Sequence, residues 1–191
     1  MQTAKQQKKI IRQVIRKKRQ ALSIGQQYRA SQKLLNQLLT CPEFIKARNI
    51  GIYLASDGEI SLNSLLQSNH FRLKNKSFYV PIVQKNKSRQ LHFTKINKTT
   101  TLKRNRFGIF EPKQVNPIKN WHLDLVLMPL VAFTTQGQRL GMGGGFYDTT
   151  FEKNKIKIKQ PKLIGIAHSF QCVDFLPNEP WDLPIKKVIS V

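Results

Sequence analysis

The strongest constraint on how this chain can fold is a cluster of glycines around residue 143. Four of the 10 glycines fall within positions 141–145, between Arg139 and Asp148. Glycine loses more conformational freedom on folding than any other residue, so such a cluster is typical of a backbone that turns sharply or approaches a ligand closely. Successive backbone N–H groups in a turn of this kind can point at one anion. The stretch therefore predicts either a tight turn without a ligand or a phosphate site.

Residues on both sides of the cluster favour the phosphate site. The apolar run 124–129 ends in proline and predicts a buried strand, and residues 147–155 can begin a helix. A strand, a glycine loop and a helix N-terminus are the usual geometry of a phosphate site. The chain lacks the Gly-Lys-Ser/Thr ending of a Walker A loop, and Phe146 stands where a dinucleotide fingerprint needs its third glycine. The charged neighbours Arg139 and Asp148 make a turn without a ligand the less favoured alternative.

The stretch 139–148 resembles the signature of the 5-formyltetrahydrofolate cyclo-ligases, also called methenyltetrahydrofolate synthetases. That family carries a segment close to Arg-Leu-Gly-x-Gly-x-Gly-Tyr-Tyr-Asp. Two positions depart from it, because Phe146 replaces the first tyrosine and Met142 stands where relatives vary. Further segments resemble the family in its own order along nearly the whole chain: residues 8–12, 54–60, 107–112, 178–182 and 188–189.

The resemblance implies a role for each matched residue. The expected ATP-binding residues are Lys8, Lys9, Arg12, Arg139, Leu140, Gly141, Met142, Gly143, Gly144, Gly145, Phe146 and Tyr147. The expected folate-binding residues are Leu54, Glu59, Phe107, Met142, Gly143, Gly144, Gly145 and Phe146. Arg139 and Tyr147 are also the expected catalytic residues, and Asp148 and Asp182 are the expected Mg²⁺ ligands.

Structural alternatives remain for several of these residues. Asp148 could be an acid in the first turn of a helix, where the helix dipole favours it. Asp182 could stabilise a turn, Glu59 could be an acid on a surface loop, and Phe107 could belong to the core. A carboxylate at position 59 would nevertheless suit a pterin, whose ring N–H and amino groups are paired donors.

The family's known reaction explains why these residue types would be needed. The formyl oxygen of 5-formyltetrahydrofolate attacks the γ-phosphate of ATP, N10 closes the ring, and 5,10-methenyltetrahydrofolate, ADP and phosphate result. Phosphoryl transfer requires positioning of the reactants and neutralisation of phosphate charge. The amides of residues 141–145 and the cations Lys8, Arg12 and Arg139 could supply both, while Mg²⁺ takes one or two carboxylates in addition to phosphate.

The charge of the chain favours anionic partners. Lysine and arginine number 33 against 10 acids, which gives a net charge of +23. ATP and a folate, possibly polyglutamylated, are both anions. RNA is the alternative, but no RNA-binding motif accompanies the basic residues, so no dedicated nucleic-acid partner is expected. Since acids are scarce, four of those that lie in the matched segments are conspicuous: Asp57, Glu59, Asp148 and Asp182.

Other features bound the location of the protein. The longest apolar run, residues 125–133, is too short to span a bilayer, and the basic N-terminus lacks the apolar core of a signal peptide. Two cysteines do not make a disulfide framework, and the four histidines show no metal-ligand spacing. These features predict a cytoplasmic protein, and we expect a monomer without a membrane partner.

Strand patterns that alternate with helical patterns predict an α/β fold with a mostly parallel sheet. The resemblance adds a Rossmann-like, three-layer α/β/α sandwich. We expect one domain over 1–191, with basic helices over about 5–40 and an α/β core over about 49–191. Predicted strands cover 50–54, 78–81, 91–96 as an edge strand, 124–128, 163–167 and 188–191. A loop is expected over 97–106 and a connection over 116–120.

Overall fold

The structure is a computed structural model that describes residues 3–83, 89–105, 108–151, 160–177, 179 and 182–191. Its helices are α1 (Ala4–Gln20), α2 (Ile24–Thr40), α3 (Pro42–Lys46), α4 (Asn63–Gln67) and α5 (Phe146–Phe151). Its strands are β1 (Asn49–Gly51), β2 (Ser77–Val83), β3 (Leu91–Ile96), β4 (Leu102–Arg104), β5 (Phe110–Pro112), β6 (Pro117–Ile118), β7 (Leu125–Pro129), β8 (Ala132–Phe133), β9 (Arg139–Leu140), β10 (Lys162–Ala167) and β11 (Val188–Ser190). Single 3-10 turns cover Phe71–Leu73, Asn120–His122 and Ser169–Gln171.

The two long helices begin with the same capping arrangement. Thr3 precedes α1, and its hydroxyl accepts from the amide of Gln6, whose side chain accepts from the amide of Thr3. Ser23 and Gln26 form the same reciprocal pair ahead of α2. Both boxes satisfy two amide donors that a helix start leaves without partners.

The main sheet has the order β11-β10-β7-β1-β2-β3-β6. Neighbours from β11 to β2 pair in parallel, while β3 pairs antiparallel with β2 and with β6. The predicted α/β fold with a mostly parallel sheet is confirmed. The chain moves from β1 to β2 on one side and later to β7 on the other. The strand order therefore reverses between β1 and β7.

Helices and loops cover both faces of this sheet, as the three-layer prediction requires. On one face, α2, α3 and α4 bury Leu34, Phe44 and Leu65 against the sheet. On the other face, Phe151 of α5 packs with Phe93 in a second cluster, to which the C-terminal segment also contributes. Parallel strands that are buried on both faces explain why β7 is a continuous apolar run.

Three local predictions were wrong. Residues 102–104 within the expected 97–106 loop form β4, which pairs with β5 in a hairpin separate from the main sheet. The expected connection 116–120 contains β6, which pairs with β3, so β3 is not the edge strand. Both segments escaped prediction because they bury little apolar surface and therefore show no period-2 pattern. The first strand is also shorter than expected, because β1 ends at Gly51.

The orientation of α1 also differs from its sequence pattern. Ile10 and Val14 belong to the apolar stripe of the helix, yet they are 44% and 49% exposed. Ile15 is buried, and so is Arg19, at 3% and 1% exposure. Polar contacts made by the basic side chains, described below, thus orient this helix as much as its apolar stripe does. Across the described part of the chain, no helix has both the length and the apolar character to cross a membrane.

Gly165 in β10 provides a test of how tightly the sheet packs. A Cβ at this position would lie 2.5 Å from Leu130 Cδ1 and 2.9 Å from Ile185 Cδ1. We expect Gly165→Ala to lower the free energy of unfolding by about 1–3 kcal/mol, since overpacking forces neighbours to shift. Gly25→Ala is the control, because a Cβ on this residue of α2 meets only Arg29 at 3.6 Å. Urea denaturation should show the control at or above wild-type stability, and equal stability of both variants would contradict tight packing at β10.

Candidate active site

The candidate site lies beyond the carboxyl ends of β1 and β7, where the strand order reverses. In open α/β sheets this crevice is the usual ligand position. The loop 52–62 leaves β1 here, and β7 leads through β8 and β9 to the glycine loop 141–145. Arg19 of α1 joins the two sides, because it donates to the carbonyl of Leu130 after β7 and to Asp57 after β1.

The glycine loop connects β9 to α5 and needs its glycines. Gly143 and Gly145 adopt φ angles of +97° and +67°, which favour glycine strongly. A Cβ on Gly144 would lie 2.7 Å from the ring of Phe146, so that position also excludes a side chain. The strand directly before the loop is β9 of the β8–β9 hairpin, not the predicted strand 124–129.

Two basic residues of α1 reach the C-terminal half of the chain at this loop. Arg12 Nε donates to the carbonyl of Gly141 at 2.8 Å, and its guanidinium carbon lies 3.4 Å from where a Cβ of Gly143 would be. Burial lowers the pKa of Arg12, while the charge of Asp182 partly offsets this effect. Lys8 forms an ion pair of 2.7 Å with Asp182. Lys9 points to solvent, so Lys8 is the lysine that faces the site.

Arg139 and Asp148 form a second ionic unit beside the loop. The side chain of Arg139 is only 5% exposed and pairs with Asp148 Oδ1. Its Nε donates to the carbonyl of Leu183 at 2.9 Å, and the amide of Leu183 donates to the same Asp148 oxygen at 3.1 Å. A guanidinium fixed at two of its nitrogens is well placed to hold a phosphate in a defined direction.

Both predicted metal ligands contact the C-terminal turn that contains Leu183. Asp182 belongs to this turn, and Asp148 accepts from the amide of Leu183. Asp182 Oδ2 accepts from Lys8 and from the amide of Glu179 at 3.0 Å, so it does stabilise a turn. Asp148 lies in the first turn of α5. Each carboxylate uses one oxygen in these contacts, and its other oxygen has no hydrogen bond within the described ranges. Two such oxygens near a phosphate site fit Mg²⁺, although the described residues contain no group of three or more metal-ligating side chains.

Glu59 lies in a buried pocket of the loop after β1. Its side chain is 10% exposed, accepts from the amide of Ser56 at 3.0 Å and lies 3.9 Å from Arg19 NH1. Burial raises the pKa of Glu59, and the Ser56 amide and the charge of Arg19 oppose that rise. Glu59 is thus not a solvated surface acid. Leu54, also predicted, is partly buried against the core beside it.

Two tyrosines connect Glu59 with the glycine loop. Burial, and then the charge of Glu59, raise the pKa of both Tyr53 and Tyr147, so both phenols stay neutral. The hydroxyl of Tyr53 donates to the carbonyl of Ile60 at 2.7 Å. Tyr147 stacks on Phe151 with ring centroids 6.4 Å apart. The loop that carries Glu59 and the glycine loop meet at Arg19, whose guanidinium lies 3.9 Å from Glu59 Oε1 and 4.0 Å from the sulfur of Met142.

The remaining predicted residues differ in what they can offer a ligand. Met142 is 50% exposed at the mouth of the crevice, whereas Leu140 is buried and can contribute only its backbone. Phe146 packs partly into the cluster around Phe93 and Phe151. Phe107 lies outside the described residues, so its predicted contact with the folate stays a prediction.

Arg89 is a candidate residue that the sequence analysis missed. Its NH1 lies 3.8 Å from where a Cβ of Gly145 would be, so the segment before β3 brings a further cation to the glycine loop. No motif surrounds Arg89 in the sequence, and only the pairing of β3 with β2 places it here. Arg19 differs from Arg89, because its spacing from Lys8 and Arg12 in the sequence indicates the basic face of α1. That spacing does not indicate that its side chain is buried.

Comparison with known proteins identifies the relatives of this arrangement. The sequence profile of the 5-formyltetrahydrofolate cyclo-ligase family matches residues 4–191. This chain belongs to that family. A 5-formyltetrahydrofolate cyclo-ligase of Haemophilus influenzae is 40% identical to it over 99% of each chain. One from Escherichia coli K12 is 35% identical over 93% of this chain and 96% of the relative.

A solved structure agrees with this family membership. The NMR structure of Aquifex aeolicus 5,10-methenyltetrahydrofolate synthetase superposes with a TM-score of 0.77 and 30% identity, covering 96% of this chain and 89% of that one. The predictions of a cyclo-ligase family member and of its α/β fold are confirmed. The roles of single residues in this cyclo-ligase family member stay predictions.

Proposed function

We propose that this protein converts 5-formyltetrahydrofolate and ATP into 5,10-methenyltetrahydrofolate, ADP and phosphate. Membership of the cyclo-ligase family supports the reaction, as does the similarity of this chain to two 5-formyltetrahydrofolate cyclo-ligases at 35% and 40% identity. The observation that carries the proposal is that Arg19 lies beside both Glu59 and Met142 of the glycine loop, where Arg12 donates to the carbonyl of Gly141. That crevice offers an anion site and a pterin site side by side.

In the proposed reaction, the formyl oxygen attacks the γ-phosphorus and the bond from that phosphorus to the β–γ bridging oxygen breaks, releasing ADP. N10 then attacks the activated formyl carbon, N10 loses its proton, and the C–O bond to phosphate breaks. Arg139 and Arg12 would neutralise the triphosphate, and the amides of residues 141–145 would cradle it. Neutral Tyr147 would orient an oxygen near the transferred phosphoryl group. Holding both substrates in one crevice supplies most of the required positioning.

Glu59 would bind the pterin through its ring N–H and amino groups. A buried carboxylate that already lies beside Ser56 and Arg19 is held in a fixed direction, which favours paired hydrogen bonds. Leu54 and Met142 would make apolar contacts with the folate. Asp148 and Asp182 would hold Mg²⁺, which supplies charge neutralisation at the phosphate oxygens when bound.

The proposal has a direct test in a spectrophotometric assay. Purified protein with 5-formyltetrahydrofolate, ATP and Mg²⁺ should give a rise in the near-ultraviolet absorbance of the methenyl product. Omission of any one component should abolish the rise. Binding of both ligands by folded protein without a rise would indicate a relative that has lost turnover. RNA binding that is steeply salt-dependent and unaffected by ATP or folate, again without a rise, would favour a nucleic-acid function.

Glu59→Gln is expected to weaken folate use specifically. The amide keeps the shape of the carboxylate but loses its charge and one acceptor, so KM for 5-formyltetrahydrofolate should rise about ten- to hundredfold, equivalent to about 1.4–2.8 kcal/mol. KM for ATP should stay within about twofold of the wild-type value. Glu43→Gln is the control, because Glu43 pairs with Lys187 at 2.7 Å away from the crevice. Equal folate KM values in the two variants would remove Glu59 from the folate site.

We further propose that residues 1–191 act as one domain, in the cytoplasm and as a monomer. The charge of +23 suits anionic small-molecule substrates, including polyglutamylated folates, without a dedicated nucleic-acid or membrane partner. Size-exclusion chromatography with light scattering tests the monomer, and a dimer mass at micromolar concentration would overturn it.

A further inference from the structure

Arg19 is a fully buried arginine whose contacts join three segments of the crevice. Its NH1 donates to the carbonyl of Leu130 at 3.3 Å and lies 3.9 Å from Glu59 Oε1. Its NH2 pairs with Asp57 Oδ2 at 2.5 Å and lies 4.0 Å from the sulfur of Met142. The side chain is 0% exposed. One guanidinium therefore touches the end of β7, the loop after β1 and the glycine loop.

Asp57 is the carboxylate at the centre of these contacts. Besides Arg19, it accepts from Arg16 Nε at 2.7 Å and from the side chain of Gln20. Burial opposes its ionisation, but the hydrogen bonds from Arg16, Gln20 and Arg19 outweigh it and hold the pKa of Asp57 below its ordinary value. Its φ of +50° is the left-handed backbone that a non-glycine residue adopts only when its surroundings enforce it.

Gly58 shows how closely this loop is seated on α1. A Cβ on Gly58 would lie 2.7 Å from the backbone carbon and oxygen of Arg19, so the loop approaches the helix at a distance that only glycine allows. The carbonyl of Gly58 accepts from Gln27 at 3.0 Å and from His168 Nε2 at 3.1 Å. Side-chain donors from α1 therefore hold Asp57, and donors from α2 and from the residue after β10 hold the carbonyl of Gly58.

Stability alone does not explain a buried arginine of this kind. A buried ion pair is often no more stabilising than well-packed apolar side chains, because desolvation offsets the Coulomb attraction. Among the described residues, Arg19 Nε has no hydrogen-bond partner although it is buried, which adds a further cost. Since Arg19 costs free energy and yet fixes a strained loop, its presence is better explained by a functional residue that this loop must hold in place. The residue that follows Asp57 and Gly58 in this loop is Glu59.

We propose that Arg19 is a positioning residue that, through Asp57, fixes the direction of the Glu59 carboxylate toward the folate. The proposal rests on the proposed function, since it assumes that Glu59 binds the pterin. Arg19 does not itself belong to the proposed nucleotide contacts, which lie about two and three turns earlier on α1, at Arg12 and Lys8. Loosening Arg19 should therefore change folate affinity while ATP affinity is kept.

The test compares Arg19→Lys with Arg16→Gln. Lysine keeps the charge but lacks the planar fork that reaches Asp57, Glu59 and Leu130 together. We expect KM for 5-formyltetrahydrofolate to rise about tenfold or more in Arg19→Lys, with kcat and KM for ATP within about twofold. Arg16→Gln is the matched control, because Arg16 shares Asp57 but its side chain is 43% exposed and reaches no other loop residue. Its folate KM should stay within about threefold of wild type.

A purely structural role for Arg19 would give another result. If the substitution only reduced the fraction of folded molecules, the apparent kcat would fall and the KM values for both substrates would stay unchanged. That outcome would overturn the proposal. If Arg19→Lys does not fold, Arg19→Met takes its place, since an apolar side chain of similar length removes the buried charge. Hydrogen exchange of the amides of residues 56–60 should be faster in either Arg19 variant than in Arg16→Gln, and equal exchange contradicts the positioning role. Wild-type protein without turnover would instead reject the proposed function, which separates the two failures.

Discussion

Arg139→Gln is expected to reduce kcat by roughly a hundred- to ten-thousandfold, because it removes a buried cation from the transferring phosphate. Arg139 is held by Asp148 and by the carbonyl of Leu183, so its remaining N–H groups have a fixed direction. A preorganised charge stabilises the transition state without reorganisation, and glutamine cannot replace it. KM for 5-formyltetrahydrofolate should change much less than kcat. Single-turnover measurement of ADP release at saturating substrates checks this expectation.

Two further variants make the Arg139 result specific. Arg139→Lys keeps the charge without the fork and should retain part of the activity, which distinguishes charge from geometry. Arg48→Gln is the control, because Arg48 is exposed at the start of β1, at the opposite end of the sheet. Circular dichroism must show that Arg139→Gln is folded, since it loses two contacts of its own. A folded Arg139→Gln with wild-type kcat would show that Arg139 only anchors the turn at Leu183.

The sequence allowed the prediction of those elements that depend on local chemistry. Ser23 is of the residue type that caps helix starts, and it does cap α2. The buried run 125–129 needs no partner to be recognised, because a strand covered on both faces is apolar throughout. The glycines at 143 and 145 were conspicuous for a local reason too, since their positive φ angles exclude most other residues.

Features that depend on distant contacts were not accessible from the sequence. The stripe of Ile10, Ile11, Val14 and Ile15 predicted a buried face of α1. Ile11 and Ile15 do pack against the core, whereas Ile10 and Val14 are exposed, on a helix whose Arg12 and Lys8 form hydrogen bonds to Gly141 and Asp182, about 130 to 175 positions away. The strands of the β4–β5 hairpin are three residues long and mostly exposed, although Leu102 packs against the core, so no alternation marks them. Both errors arise where polar pairing, rather than apolar burial, decides the local structure.

The candidate site was predicted in part for the same reason. Glu59 lies on the loop after β1, and Arg139 and Asp148 lie on the segment that follows β7, so these motif positions come after neighbouring strands of the sheet. Their roles stay predictions. Arg89 carried no signal, since its approach to Gly145 depends on the register of β3. The burial of Arg19 could not be predicted from the sequence either, because a basic helix without acids predicts side chains that are exposed to solvent.

Asp148→Asn separates two roles that the structure allows for this carboxylate. Asparagine keeps the size of the side chain and can still accept from the amide of Leu183, so the variant should fold. If Asp148 is a Mg²⁺ ligand, turnover at ordinary Mg²⁺ should fall at least about a hundredfold, because even outer-sphere partners contribute about ten- to a hundredfold. The Mg²⁺ concentration for half-maximal turnover should rise in parallel, since one anionic ligand is lost.

The alternative role of Asp148 is to orient Arg139, and the Mg²⁺ dependence distinguishes it. In that case turnover falls but the half-saturating Mg²⁺ concentration stays at the wild-type value, because the metal keeps its ligands. Asp174→Asn is the control, since Asp174 is an exposed acid of the same C-terminal segment and should leave both quantities unchanged. Wild-type turnover in folded Asp148→Asn would remove Asp148 from both roles. Because Asp182 would then be the remaining candidate carboxylate, Asp182→Asn should show the shifted Mg²⁺ dependence in its place.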